Sequence, residues 1–190
     1  MLVHVMVEAN WHTFQVLTKR ADRLRELLST KLRFAAAQSH IWWGVSVEDR
    51  RYGLPRIEHL RNAPAAIRFL SIEPLLEDPG DGLDLSGINW AIVGGESGHR
   101  ARPMQEVWVE RVGKLCTAQN VFFFFKQWGG VHKSKAGRLL NGRTYDDMPE
   151  RIVGLMPFRK ARLASAAAWN QKAARWRRDA TVPVPIAASS

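Results

Sequence analysis

The sequence predicts a parallel α/β fold, and three observations carry that prediction. Five short apolar runs recur along the chain, each nearly continuous in apolar character rather than alternating. Strands buried on both faces read this way. Segments with helical apolar spacing separate the runs, which is the pattern of βαβ units around a parallel sheet. Every run also ends abruptly in polar residues or glycine, as strand-to-helix loops do. An open doubly wound sheet and a closed or partial barrel both satisfy the pattern, and periodicity does not separate them.

The first run is Thr13 to Thr18, followed by Lys19 to Ser29 with Leu24, Leu27 and Leu28 at helical spacing. The second is His40 to Val47, followed by a helical segment from Tyr52 to Asn62 with Leu54, Ile57 and Leu60 on its apolar side. The third, Ala65 to Ile72, stops at Glu73-Pro74, and a loop rich in Gly, Asp and Pro covers Glu77 to Gly87. The fourth, Ile88 to Val93, stops at Gly94-Gly95. Pro103 suits the first turn of a helix reaching Thr117. The fifth is Val121 to Phe125. Phe122 to Phe125 reads as core, as do Trp42 and Trp43, one of which should point inward. After Gly130, Lys133 to Arg143 reads as a loop with a short hairpin. Ala161 to Arg178 reads as a helix and Val182 to Ser190 as a disordered end. The expected division is a folded domain over 1–150 and a basic extension over 151–190.

Length and composition exclude several classes. A chain of 190 residues with 46% hydrophobic and 24% charged residues can bury a core, which argues against wholesale disorder. No stretch reaches the ~20 apolar residues of a membrane span. The start is too short and lacks the basic lead-in for a secretory signal, so a cytoplasmic location without membrane contact is expected. The single cysteine, Cys116, allows neither an internal disulfide nor a cysteine-based metal site. No two of the six histidines have the spacing of a helix-face metal pair, and His12, His40 and His132 read as surface residues. The net charge of +10 suggests a polyanionic partner. Arg151 to Asp179, however, holds eight Lys/Arg against one acid, a net of +7, so the body carries only about +3.

Ligands of parallel α/β folds gather at the carboxyl ends of the strands. The polar residues expected there are Lys19, Glu48, Glu73, Glu96 with Arg102, and Lys126 with Gln127. Any one of them could merely cap a helix or meet solvent. Five strand ends in succession that mix carboxylates and cations suit a charged, zwitterionic ligand. Gly94-Gly95-Glu96-Ser97-Gly98 could let backbone approach an anion, but its spacing matches neither the P-loop nor the dinucleotide fingerprint. Trp169 and Trp176 stand among Arg175, Arg177 and Arg178, a mixture that can bind nucleic acid.

The ordered motifs also resemble a known family. They are His12-Thr13-Phe14-Gln15-Val16-Leu17-Thr18-Lys19-Arg20, Trp43-Gly44-Val45-Ser46-Val47-Glu48-Asp49, Arg68-Phe69-Leu70-Ser71-Ile72-Glu73-Pro74, Val93-Gly94-Gly95-Glu96-Ser97-Gly98 with Ala101-Arg102-Pro103-Met104, Phe123-Phe124-Phe125-Lys126-Gln127-Trp128-Gly129, and Gly137-Arg138-Leu139-Leu140-Asn141-Gly142-Arg143. In this order, over about His4 to Pro149, they resemble a phage- and prophage-associated, radical-SAM-like family of unknown function with an amino-terminal three-cysteine motif. The resemblance implies a partial (β/α) barrel and, for the full-length family, S-adenosylmethionine and a 4Fe–4S cluster. It also implies that the first strand or strands, with the cluster cysteines, are missing here. Met1 to Asn10 reads as the end of a helix preceding the first retained strand. Gly94-Gly95-Glu96 lies on a late strand and is not the Gly-Gly-Glu motif of radical-SAM enzymes, which follows the cysteines closely.

The expectation is therefore a truncated or split radical-SAM-like protein, its substrate open, with no cluster chemistry of its own and a missing amino-terminal half or partner chain to complement it. The competing expectation is a non-enzymatic nucleic-acid-binding protein that acts through the basic tail.

Overall fold

The computed structural model describes residues 1–131 and 137–180. Its centre is a five-stranded, all-parallel sheet with strand order equal to chain order: β1 (Phe14–Thr18), β2 (Ile41–Ser46), β3 (Ile67–Ile72), β4 (Trp90–Gly94) and β5 (Phe122–Gln127). The sheet is not closed, because β1 and β5 are its two ends. Among the described residues six α-helices accompany it: α1 (Leu2–Glu8), α2 (Ala21–Ser29), the single-turn α3 (Arg33–Ala36), α4 (Leu54–Arg61), α5 (Glu106–Ala118) and α6 (Arg159–Ala180).

Sequential parallel strands need crossover connections of one hand, so successive helices arrive on the same face of the sheet. The packing shows this. Trp43 and Val45 of β2, Leu70 and Ile72 of β3, Ala91 and Val93 of β4, and Phe123 and Phe125 of β5 share one core with Leu24, Leu28, Ile57, Leu60, Val109, Val112 and Cys116 of the helices. The alternate residues point the other way. Trp42, Phe69 and Trp90 form a second cluster on the opposite face, joined by Ile67, Ile92, Phe124 and Met148. Both faces are thus apolar over much of their area, which explains why the strands read as continuous runs rather than alternating ones. Trp42 and Trp43 are both fully buried, on opposite faces.

The two sheet ends differ. The outer edge of β5 is capped by the returning chain, with Phe125 donating to the Tyr145 carbonyl and Phe124 bridging Asp146. The chain then crosses the second face. Trp90 Nε1 donates to the Asp147 carbonyl at 2.8 Å, and Met148 packs on the aromatic cluster. The chain next reaches the start of β1, where the Gly154 amide donates to the Asn10 carbonyl, before α6 begins.

Two expectations need correction. Pro103 is not in the first turn of α5, which starts at Glu106. The backbone amide of Arg102 instead donates to the Glu96 carboxylate at 2.9 Å, which ties the preceding segment to the β4 loop. His40 is not a surface residue: it is buried, with Nε2 3.0 Å from the Met6 carbonyl, and it joins α1 to the sheet. Met1–Asn10 holds the helix expected ahead of the first strand, α1, which packs Met6 into the main core. His132 and residues 133–136 lie outside the described residues; in the rest of the expected loop and hairpin, Leu140 and Arg143 exchange backbone hydrogen bonds across an antiparallel bridge. No helix among the described residues is long and apolar enough to cross a membrane.

Candidate functional site

The strand register sorts the helix-free face into levels. Leu17, Gly44, Phe69, Trp90 and Phe122 lie side by side at one level. The next level toward the carboxyl ends holds Ser46, Ser71, Ile92 and Phe124. Two residues further along the chain from each of these come Glu48 and Glu73, just past the ends of β2 and β3, and Gly94 and Lys126, where the register shifts after Val93 and pairs Gly94 with Gln127. The face therefore passes from aromatic to hydroxyl to charged over two steps, and the charged step is the rim where α/β folds bind ligands. Ser46 and Ser71 are themselves buried.

Three ion-pair sets make up the rim. Glu48 lies between two cations, with Lys19 Nζ 2.6 Å and Arg56 Nη1 2.7 Å from its two oxygens. Its side chain is 8% exposed, against 18% for Arg56 and 65% for Lys19. Burial alone would raise the Glu48 pKa, but hydrogen bonds and charge from Lys19 and Arg56 outweigh it and hold the carboxyl below its ordinary value. Glu73 pairs with Lys126 at 2.9 Å, the carboxylate 20% and the lysine 52% exposed. This pair connects β3 to β5 across β4, and Gly94 makes the crossing possible. A Cβ on Gly94 would stand 3.1 Å from Glu73 Oε1, tighter than side chains normally pack.

Glu96 and Arg102 form the third set, a fork of 2.8 Å bonds from Nε and Nη2 to the two carboxylate oxygens. Hydrogen bonds from the Arg102 side chain, then from its amide, lower the Glu96 pKa to about 2. Gln127 donates to Ser97 Oγ at 2.7 Å and so fastens β5 to the β4 loop. Gly95 of that loop serves packing: a Cβ there would fall 1.9 Å from the Trp128 carbonyl oxygen. The seven residues singled out in the sequence thus fall into four contacts, Lys19 with Glu48, Glu73 with Lys126, Glu96 with Arg102, and Gln127 with Ser97. Sequence reasoning missed Arg56 and Ser97. Arg56 sits in the first turn of α4, where an arginine after a proline carries no signal of the carboxylate it meets. Ser97 was visible only as part of the glycine-rich string.

The arrangement of this rim is suited to binding and orientation. A carboxylate held below its ordinary pKa stays ionised near neutrality and is poorly placed to shuttle protons there. Charges of both signs lie side by side, and the cations Lys19, Arg102 and Lys126 are the most solvent-exposed members. A three-thiolate iron–sulfur cluster does not fit the residues present. Cys116 is alone, lies on the sheet-facing side of α5, and is fully buried, which pushes its thiol up to about 12. Among the described residues no group of three or more His, Cys, Asp or Glu is placed to hold a metal ion.

Searches of curated proteins and of solved structures found no match to the chain. A family model described as "Protein of unknown function (DUF5131)" matches residues 1–149, from α1 through the segment that caps β5, and the chain belongs to that family.

Proposed function

We propose that this chain is the ligand-holding part of a radical-SAM-like partial (β/α) barrel of phage origin, and that its rim binds S-adenosylmethionine or a ligand with the same zwitterionic amino-acid group. The observation that carries the reading is the Glu73–Lys126 pair, which spans β4 above the space that Gly94 leaves. A ligand ammonium can replace Lys126 on Glu73, while the freed lysine meets the ligand carboxylate. Lys19 can make the same exchange at Glu48, and Arg56 keeps that carboxylate in place. Glu96, Arg102 and Gln127 hold the adjoining loop. When bound in such a fold, S-adenosylmethionine supplies a radical precursor. The cluster that cleaves it would come from cysteines outside this chain, in an amino-terminal segment or a partner in the same cytoplasm.

Equilibrium dialysis of the chain with S-adenosylmethionine tests the rim. Saturable binding that weakens about tenfold or more in Glu73→Gln and Lys126→Met is expected. No binding, or binding indifferent to both changes, would reject the rim as the site. Anaerobic iron–sulfide reconstitution tests the second part. A stoichiometric 4Fe–4S spectrum from this chain alone would refute an external source of cysteines.

A second reading, nucleic-acid binding through the tail, draws on Trp176, which is half-exposed beside Arg175. Trp169, by contrast, is engaged by Glu8 and Lys172. This reading requires salt-dependent binding of single-stranded DNA that disappears when residues 151–190 are removed.

A further inference from the structure

Helix α6 does not lie flush against α1. A cleft of about 330 Å³ remains between them, within the size range of small-molecule sites. It lies where α1 leads into β1, at the opposite ends of the strands from the charged rim. Its lining is mainly apolar, with Val5 and Ala166 along the helices and the indoles of Trp11 and Trp169. Two charged side chains, Glu8 of α1 and Arg162 of α6, line the same cleft.

Glu8 Oε2 accepts a hydrogen bond from Trp169 Nε1 at 2.5 Å, which fixes the carboxylate against the indole. Among the described residues, neither Glu8 nor Arg162 forms an ion pair, with each other or with any other side chain. Arg162 Nε is shielded from solvent and has no hydrogen-bond partner. Its terminal nitrogens are not shielded in this way, and a guanidinium beside an apolar wall favours a carboxylate, which it can grip through two parallel bonds. An unpaired carboxylate in the same cleft favours an ammonium. Opposite charges that share a cleft without pairing are the complement of one molecule that carries both.

We propose that this cleft binds a free amino acid with a large apolar or aromatic side chain. Its carboxylate meets Arg162, its ammonium meets Glu8 Oε1, and its side chain lies against Trp11 and Trp169. The indoles supply flat apolar area at low entropic cost. The site involves none of the rim residues and stands independently of the function proposed for them.

Isothermal titration calorimetry on the full chain tests this with three probes: L-phenylalanine, 3-phenylpropionate, which lacks the ammonium, and L-phenylalaninamide, which lacks the carboxylate. L-Phenylalanine should saturate one site per chain, and each analogue should bind about tenfold weaker or less. Arg162→Leu should cost L-phenylalanine about tenfold and leave L-phenylalaninamide unchanged, and Glu8→Gln should do the reverse with 3-phenylpropionate as the indifferent probe. Equal affinity for all three probes on the unaltered chain, or no saturable heat, would overturn the proposal. So would variants that bind L-phenylalanine as the original does.

Discussion

Replacing Glu48 with glutamine removes one charge from a set of three and keeps the shape. Its cost can be worked from exposure. Lys19 is 65% exposed, so its pair with Glu48 is largely screened and contributes about 0–1 kcal/mol. Arg56 is only 18% exposed and donates to Glu48 at 2.7 Å, a charge-assisted bond of about 1.5–3 kcal/mol. The amide oxygen of glutamine still accepts from Arg56, and Arg56 keeps its bond to the Ser46 carbonyl at 2.8 Å. The net loss is about 2 kcal/mol, which lowers Tm by about 4–8 °C for a chain of this size.

Acid supplies a second reading of the same residue. The folded carboxyl has a pKa below its ordinary value of 4.5, because Lys19 and Arg56 together overcome the opposing effect of burial. Its contribution is therefore fully present above that ordinary value and is lost as pH falls through the lower, folded one. The Tm difference between the original chain and Glu48→Gln should be constant from neutral pH down to mildly acidic conditions, then shrink below about pH 4.5. Calorimetric melts across pH measure both. A Tm within about 1 °C of the original at neutral pH, or a difference that does not shrink in acid, would refute the assignment of Glu48 as a held, ionised anchor.

Three further outcomes follow from the geometry. Gly95→Ala forces a Cβ into the Trp128 carbonyl, so it should cost about 1–3 kcal/mol or more; thermal melts that overlay would show that the β4 and β5 loops do not approach this closely. Cys116, buried with its thiol at about 12, should resist a disulfide reagent in the native chain and react fully, one thiol per chain, in denaturant; rapid native labelling would contradict its place in the α5 core. Glu96 should remain ionised in carboxyl-detected NMR until the pH nears about 2, so that the pairing survives below the ordinary range of 4.5 and is lost only as the lowered pKa is crossed; Arg102→Gln should return the midpoint toward that range, and an unchanged midpoint would deny the fork its role.

The elements legible in the sequence were those whose signal is local. Each strand announced itself because both faces bury apolar groups, as Trp42 and Trp43 do on opposite sides of β2. The order of strands followed from chain order, since sequential βαβ units pair side by side. What escaped were contacts set by long-range position. His40 looked like a polar residue at a strand start, and only the return of α1 over the sheet buries it on the Met6 carbonyl. The start of α5 was misjudged because Pro103 has the local signature of a first turn, while Glu96, six residues before Arg102, ties that segment down. Arg56 was silent for the same reason: its partner Glu48 lies just past the end of β2, eight residues away. The docking of Trp169 on Glu8 joins residues 161 positions apart, and no periodicity encodes that.

The distribution of exposure over the rim narrows what can bind there. In two of the ion-pair sets the carboxylate is the held member and a lysine the mobile one: Glu48 and Glu73 are packed among strands, whereas Lys19 and Lys126 reach them from solvent. An anion alone could draw the lysines away only by leaving carboxylates without full compensation, at a cost that rises with their burial. A cation alone would have to displace a lysine that gains nothing by leaving. A zwitterion avoids both penalties, since its ammonium takes the place of the lysine and its carboxylate receives the lysine that moved. Every charge stays paired throughout the exchange, and only the exposed, flexible side chains move. The same rule gives Arg56 its purpose. It is the one cation of these two sets that is mostly buried, so it holds Glu48 in position while Lys19 swings away. Arg56→Met should therefore weaken ligand binding more than Lys19→Met does, although Lys19 is the residue nearer solvent. The reverse order in equilibrium dialysis would show that the rim does not work by exchange.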